Sequence, residues 1–554
     1  MGFLIHFLTL CSLAHMKGFL QRAKVDLRGV TQQRDSNAAY PGSQPQHQPG
    51  DFTAGQQESS HIRDPTPLDI LRYRYHHGTN LGSIYVIERW LQPSRFLDGA
   101  EGSSELAAVT AWVEKIGMDA TQRKFEDHWA NAVTDEDIQW LRSEAKCTTI
   151  RLPIGYFDLP GSDFTRGTPF EPYAQVYNGA WHSIRNLIAR LRAQSIGVLV
   201  DLHALPGGAN GQEHSGTNSG RAEFWNSTSN RALGVRCCQF LARDAQTGSD
   251  IAGIQLANEA EWDAPGMYEW YDECIAAISS IDSSIPIIIS DGWNLTKAID
   301  YSLRRNAVNI QQPTAPVVVD THYYWAFTED DKKKSPQEIT SEVTTKLKPL
   351  DGKDGSVIDR GASQVIVGEY SCVLTEDSWG KCNGTSKEEC VQNFGQAQSK
   401  RYQERAGGSF FWTWKMDWMP GGEWGFKAQS DAGSIVPPKH ATLSQQDRIS
   451  ILQRAIHERD GRMRQSLEQH VGYWSRADPK GNYEHDKYEF GWKVGYQDAF
   501  AFFEGRDTQG DRIGMLEMWV LKRIRESGYR GGFTWLFEQG LRKGVHDFYA
   551  TAGL

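Results

Sequence analysis

Two apolar runs in this chain each end in a carboxylate: Ile251-Ala-Gly-Ile-Gln-Leu-Ala-Asn-Glu259 and Gln364-Val-Ile-Val-Gly-Glu369. Runs of this length have the character of buried strands. A carboxylate is too costly to bury to finish a core strand without a purpose. Cleavage of a glycosidic bond needs such a pair, one protonated to donate to the leaving oxygen and one ionised to attack the anomeric carbon. Glu259 is expected to be the acid/base and Glu369 the nucleophile. Glu369 is expected to be held ionised by the Arg151 cation and by a hydrogen bond from His322-Tyr323-Tyr324. The carboxyl of Glu259 is expected to be raised by partial burial and by the charge of Glu369. Asn258 is placed to bind a sugar 2-hydroxyl, and Trp412 or Trp414 to form the floor under the reacting ring.

These residues need strands to position them. Eight strand-like runs read 83–87, 148–152, 197–202, 251–257, 285–290, 316–320, 364–368 and 408–412. Amphipathic segments alternate with them, among them 134–145, 181–194, 222–245, 267–281 and 387–406. Thr134-Asp-Glu-Asp137 has the form of a capping box. Alternation of this kind points to α/β class, a closed (β/α)8 TIM barrel. A doubly wound open sheet is the alternative, but no glycine-rich phosphate loop follows the first run. In a parallel barrel the site gathers at the C-terminal ends of the strands. Those ends read Arg151, His203, Asn258-Glu259, Asp291, His322, Glu369 and Trp412, a polar ring on an apolar scaffold. Singly, Arg151, His203 and Asp291 are as well explained by an ion pair, a core histidine and a turn; their recurrence on strand after strand favours a site.

Three regions follow from composition. Residues 1–71 read as a leader and a disordered linker, since 31–65 are rich in Gln, Ser, Pro and Gly with little to bury. Residues 72–438 hold the barrel, and 439–554 read as an appended helical domain. Within the last, Glu489-Phe-Gly-Trp-Lys-Val-Gly-Tyr-Gln-Asp498 echoes Glu538-Gln-Gly-Leu-Arg-Lys-Gly-Val-His-Asp547, which suggests two diverged helical repeats with glycines that permit close packing.

A net charge of −10 argues against a nucleic-acid surface. The 19 Trp and 20 Tyr suit sugar stacking, although most belong to a core on general grounds. Eight cysteines in 554 residues do not make a disulfide framework, though two of Cys372, Cys382 and Cys390 are close enough in sequence to bridge. No metal-ligand spacing occurs, and neither metal nor cofactor is expected. Phe3–Ala14 has the length of a signal-peptide core, too short to span a bilayer, so no stable membrane insertion is expected. No basic residue precedes it, and Met16 offers a second, cytosolic start. Sequons stand at Asn226, Asn294 and Asn383.

Taken together, Asn258-Glu259, Val367-Gly-Glu369-Tyr-Ser, Arg151-Leu-Pro-Ile-Gly-Tyr156, Asp201-Leu-His203-Ala-Leu-Pro-Gly and Asp320-Thr-His322-Tyr-Tyr324 resemble family 5 glycoside hydrolases. Gly78–Trp90 and Gly408–Lys415 look like the fungal exo-β-1,3-glucanase branch of that family. The resemblance covers about residues 72–438 and implies a retaining mechanism, an eight-stranded barrel, a β-glucoside substrate and an extracellular or cell-surface location. It places the acid/base on Glu259 and the nucleophile on Glu369, with Arg151, His203, Asn258, His322 and Tyr324 as further site residues. Where the family usually continues Asn-Glu-Pro, this chain reads Asn258-Glu259-Ala260-Glu261-Trp262. The expected activity is a β-glucosidase on glucan ends. A β-1,6-glucanase or glucosyl-lipid glucosidase, and a non-catalytic carbohydrate-binding barrel, are the alternatives.

Overall fold

A computed structural model describes residues 62–554 apart from 249, 309–313, 354 and 506–509. The leader and most of the linker, residues 1–61, lie outside the described residues. Eight parallel strands form one sheet: β1 (His76–Thr79), β2 (Thr149–Gly155), β3 (Gly197–Ala204), β4 (Gly253–Gln255), β5 (Ile287–Ser290), β6 (Val317–Trp325), β7 (Val365–Leu374) and β8 (Gly408–Phe411). Their order is β1-β8-β7-β6-β5-β4-β3-β2. The ring closes between its ends, where Thr148 N donates to His77 O at 2.8 Å and Leu81 N to Arg151 O at 3.0 Å. Gly78 allows that closure, because a Cβ there would stand 1.8 Å from the Thr149 carbonyl oxygen.

Seven expected strands are present. The first is not: 83–87 is buried but winds through turns, and the strand is His76-His77-Gly78-Thr79. Its polar residues carry no apolar signature, yet every one of them is buried. Strands β6 and β7 run past their expected ends at Asp320 and Gly368, because Tyr323 pairs with Tyr370 and Trp325 with Leu374. The five expected helices appear as α2 (Asp135–Ser143), α3 (Ala180–Ala193), α4 (Thr228–Gln246), α5 (Met267–Ser279) and α7 (Lys387–Arg405), and the structure adds, among others, α1 (Pro67–Tyr73, ahead of β1) and α6 (Leu295–Arg305). The box at Thr134 closes as read: Asp137 N donates to Thr134 Oγ1 at 3.2 Å and Thr134 N to Asp137 Oδ2 at 2.9 Å.

The barrel interior has two layers, set by the two-residue period of a strand. Leu199, Ile288, Val318, Ile366 and Phe410 form the lower, apolar layer. One or two turns of the period further along lie Asp201, His203, Asp320 and His322. The lower layer continues without a break into the C-terminal helices, α8 (Gln445–Ala477), α9 (His485–Glu504), α10 (Leu516–Ser527) and α11 (Thr534–Ala552). These helices plug the N-terminal end of the barrel, with Met515, Met518 and Trp519 in the same cluster as the strand residues. Tyr73 of α1 meets Trp519 edge-on at 5.2 Å, so α1, within which position 72 falls, is part of that plug.

The sequence echo is a real contact. A Cβ on Gly491, Gly495, Gly540 or Gly544 would lie 2.2, 2.0, 2.0 and 2.1 Å from the carbonyl oxygens of Phe537, Leu541, Tyr488 and Trp492 respectively. The partners advance together, so α9 and α11 run parallel about a local two-fold axis. Asp498 and Asp547 also correspond, accepting from the indoles of Trp519 at 2.9 Å and Trp492 at 2.8 Å. Glu538 is the copy that docks onto the barrel, accepting from Val357 N at 2.8 Å and Ile358 N at 3.1 Å. Cys372, Cys382 and Cys390 are free thiols, so no bridge joins any two of them.

Gly540→Val forces α9 and α11 apart and is expected to cost about 3 kcal/mol in urea unfolding. Gly461→Ala, on α8 with open space around it, is expected to add about 0.5–1 kcal/mol. Equal stabilities for the two variants would contradict the helix contact.

Candidate active site

Arg151 of β2 stands fully buried at the centre of the upper layer. Nε donates to Gln255 Oε1 at 2.9 Å, Nη1 to Asn80 Oδ1 at 2.8 Å and Glu369 Oε1 at 2.9 Å, and Nη2 to Asn258 Oδ1 at 2.8 Å, while Asp201 Oδ2 pairs with Nη2 at 2.9 Å. Hydrogen bonds and opposite charges together make a buried guanidinium tolerable.

Glu369 reaches this centre through a bulge. Strict alternation along β7 puts Ile366 and residue 368 inside and would turn residue 369 outward. The register shifts there, so that Thr321 pairs with Val367 and His322 with Glu369. The extra residue is Gly368, whose N–H donates to Asp320 Oδ1 at 2.7 Å and whose carbonyl accepts from Asn80 Nδ2 at 2.9 Å. A Cβ on Gly368 would sit 2.2 Å from that Asp320 oxygen, so glycine is required. Bulges of this kind re-aim a side chain. Glu369 thereby accepts from Arg151 on one oxygen and from the Tyr324 hydroxyl on the other, at 2.9 Å each.

Glu259 turns in by a different device. Its φ is +41°, in the left-handed region that suits glycine, and this brings both Asn258 and Glu259 to the site. Asn210 secures the turn by donating to Glu259 O at 2.9 Å. The carboxylate contacts two imidazoles, His322 Nδ1 on Oε1 at 2.9 Å and His214 Nε2 on Oε2 at 3.3 Å. His322 Nε2 in turn faces Asp320 Oδ2 at 3.0 Å. With a carboxylate on each ring nitrogen, His322 donates from both and is assigned as the imidazolium. His203 differs: Nδ1 donates to Asp201 at 2.7 Å, which leaves Nε2 as an acceptor 3.4 Å from Asn258 Nδ2.

Proton affinities follow this wiring and depart from expectation. Burial works to raise Glu259, but the hydrogen bond from His322 and the nearby His214 and His322 cations outweigh it and lower it to about 2. Burial pushes Glu369 up, with the charge of Glu259 adding and the His322 and Arg151 cations opposing. Burial opposes the His322 cation, yet the charges of Glu369 and Asp320 and its two carboxylate hydrogen bonds raise it well above the usual range. The order expected for the two glutamates is therefore reversed in the unliganded site, because one shared proton rests on His322 instead of Glu259. One atom each of Glu259, His322 and Glu369 lie within 4.8 Å of one another, a spacing a cation could span. Hydrogen bonds already engage the oxygens and ring nitrogens involved, so the cluster is held together by protons.

Arg151, His203, Asn258, Glu259, His322, Tyr324 and Glu369 thus come together, and Trp412 joins them, stacked parallel to His203 at 5.7 Å. Trp414 does not; it is buried in the main core against Trp140. Asp291 commits its two oxygens to Thr321 Oγ1 and Trp293 N, the turn role. Sequence reasoning missed Asn80, Gln255 and His214, which no local pattern marks. It also missed Glu88, which its own rule finds: the apolar run 83–87 ends in that carboxylate. Glu88 is buried, accepts from Trp90 Nε1 at 2.9 Å, and leaves Oε1 with no partner among protein atoms. Burial, partly offset by the Trp90 hydrogen bond and reinforced by Glu369 and Glu259, raises it to about 8.

A closed parallel barrel that gathers two glutamates, a buried arginine and an indole at its C-terminal mouth has the make-up of a hydrolase of glycosidic bonds. The chain belongs to glycosyl hydrolase family 5: the Cellulase (glycosyl hydrolase family 5) model matches residues 113–417. A second model, the Glucan 1,3-beta-glucosidase 3 C-terminal domain, matches residues 455–552. The chain is 31% identical over 477 residues to glucan 1,3-beta-glucosidase 3 of Schizosaccharomyces pombe, covering 85% of this chain and 95% of that protein. It is likewise 31% identical over 494 residues to an uncharacterized glycosyl hydrolase of Saccharomyces cerevisiae, covering 86% and 92%. Among solved structures, rutinosidase from Aspergillus niger matches with a TM-score of 0.50 at 16% identity, over 66% of this chain and 98% of that one, a likeness of fold. The protein is an O-glycoside hydrolase.

The folded protein keeps the Glu88 proton to about pH 8, whereas an unfolded glutamate loses it near about 4.3. Its contribution to stability is therefore full below about pH 4 and is lost as the pH rises through about 8. Glu88→Gln mimics the protonated form and is expected to flatten the fall in unfolding free energy between pH 5 and 8, by at most about 1.4 kcal/mol per pH unit. Parallel pH curves for the two proteins would contradict the buried, protonated state.

Proposed function

We propose that this protein is a retaining β-glucosidase that removes glucose from the ends of β-1,3-glucan. The observation that carries the retaining assignment is the closeness of the two glutamates, which present oxygens within 4.8 Å of each other. Retaining enzymes hold their carboxyl groups about 5–5.5 Å apart, while inverting ones need about 6.5–9.5 Å to admit water. The relatives named as glucan 1,3-beta-glucosidases support the linkage.

The neighbours of each glutamate support its role. Glu369 is bound by a guanidinium and a phenol, groups that donate hydrogen bonds and keep their protons, and this suits a nucleophile. Glu259 is bound by two imidazoles, groups that can pass a proton across a hydrogen bond, and this suits an acid/base. The proton for the leaving oxygen is stored one hydrogen bond away, on His322 Nδ1, and its shift to Glu259 neutralises both groups at once. Glu369 then bonds to the anomeric carbon as the glycosidic bond breaks and the leaving oxygen takes that proton. In the second half, water attacks the anomeric carbon, its proton passes to Glu259, and the electron pair of the ester bond returns to Glu369. Asn258, its Oδ1 held by Arg151, turns its amide to the 2-hydroxyl; Trp412 underlies the ring; the protonated free oxygen of Glu88 donates to a further hydroxyl. His203 orients Asn258, and the helical region after residue 438 serves as a base plate under the barrel.

One observation favours a second reading. Trp293 and Phe327 are 40% and 45% exposed on the turns that follow β5 and β6, which suits an apolar aglycone such as a glucosylated lipid. Turnover of a glucosyl lipid faster than of a β-1,3-glucan trisaccharide would select it.

The anomeric proton spectrum of the first product from a β-1,3-glucan oligosaccharide tests the proposal. β-Glucose is expected first, and Glu369→Gln should lose activity by more than about a thousandfold. α-Glucose first, or an active Glu369→Gln, would overturn it.

A further inference from the structure

Glu259 is gripped from a direction that the proposed reaction does not explain. The segment after β3, residues 209–214, wraps the turn that carries it. Glu261 N donates to Ala209 O at 3.0 Å, Asn210 Nδ2 donates to Glu259 O at 2.9 Å, and His214 Nε2 lies 3.3 Å from Glu259 Oε2. Asn210 itself is fixed, because its Oδ1 accepts from Gln212 N at 2.8 Å. Its amide nitrogen must therefore face His214 Nε2, at 3.1 Å. That nitrogen has a donor on one side and the carboxylate on the other. A ring nitrogen holds one lone pair or one N–H, so a bare Nε2 accepts from Asn210 and a protonated Nε2 donates to Oε2 of Glu259. His214 is one-fifth exposed, whereas His322, on the other oxygen, is almost wholly enclosed.

We infer that His214 is a positioning residue for the acid/base, donating from Nε2 to Oε2 of Glu259 so that Oε1, the oxygen that takes the proton of His322, stays aimed at the leaving oxygen. The inference rests on the reading of Glu259 as acid/base. Two histidines divide the work. His322, locked between Glu259 and Asp320, stores the proton, and His214, set on a loop and open to solvent, holds the carboxyl in place as that proton leaves and returns. The titratable groups facing His214 are Glu259 from the turn after β4, Asp201 and His203 from β3, and Glu369 from β7.

Leaving-group dependence tests this. A glucan oligosaccharide needs a proton on its leaving oxygen, and 2,4-dinitrophenyl β-glucoside does not. His214→Ala is expected to lower kcat/KM on the oligosaccharide on the order of tenfold, the scale of one hydrogen bond lost at a charged group. On the dinitrophenyl glucoside kcat/KM should hold, which also shows that the variant is folded. His214→Gln, whose amide can donate to Oε2, should restore most of the activity. Equal losses on the two substrates, or no rescue by His214→Gln, overturn the inference. Glu259→Gln run alongside separates the two claims. If it shows steep leaving-group dependence and His214→Ala does not, only the positioning role fails; if it shows none, the acid/base reading fails.

Discussion

A guanidinium buried in the middle of a barrel is the constraint on which this structure turns. Arg151 has no access to water, and its N–H groups and its charge must be met by protein. Its partners come from the end of β1, from β3, from β4 and the turn after it, and from β7. Slipping any one of these strands by a residue would remove a partner and turn a side chain to the wrong face. The polar centre therefore sets the register of the sheet as well as the position of Glu369. Breaking such a buried set by removing one partner is costly, about 3–5 kcal/mol, because a charge is left uncompensated.

That centre needs a dry floor, and the chain supplies it from an unexpected place. The interior of a parallel barrel is filled by layers of side chains. Here the lower layer, from Leu199 to Phe410, shares one cluster with Trp519, Phe502 and Phe548 of the C-terminal helices. The helical region thus seals the end opposite the site. Its own integrity depends on backbone contact between α9 and α11, which glycine alone permits at four positions. The link from Glu538 to the Val357–Ile358 amides ties this plug to the segment that leads into β7, the strand of Glu369.

Much of this was legible in the chain, and the parts that were not share physical causes. Apolar runs of strand length marked β2 to β8, because these strands are covered on both faces by apolar layers. Strand β1 escaped since His76, His77 and Thr79 are buried through hydrogen bonds, to Thr149 Oγ1 and Ala145 O among others, and not through apolarity. The glutamates were visible as charges at strand ends, but the devices that turn them inward were not: a bulge at Gly368 and a positive φ at Glu259 each depend on tertiary partners. His214 lies in a stretch of turns with nothing local to single it out. Trp412 and Trp414 were indistinguishable by type, and both lie past the end of β8, where the two-residue period of the strand no longer decides which way a side chain turns.

The expected order of the two carboxyls failed for a reason that says something about the site. Reasoning from pairwise repulsion treats the two glutamates as a closed system in which one must keep the proton. The structure adds His322 between them, 2.9 Å from one and 3.6 Å from the other, with Asp320 behind it. A cation there satisfies both glutamates and removes the need for either to be protonated at rest. The set then titrates as a unit, each member's proton affinity depending on the charges of the others. On the mechanism proposed above, acid and nucleophile are distinguished by what each can exchange with its neighbours. A sugar that displaces water and places its leaving oxygen beside Glu259 weakens the solvation of the ion pair, and neutralisation by proton shift along a 2.9 Å bond becomes the cheaper arrangement. On that proposal the acid is made on demand by the substrate, so a carboxylate strongly ionised in the unliganded site can still serve.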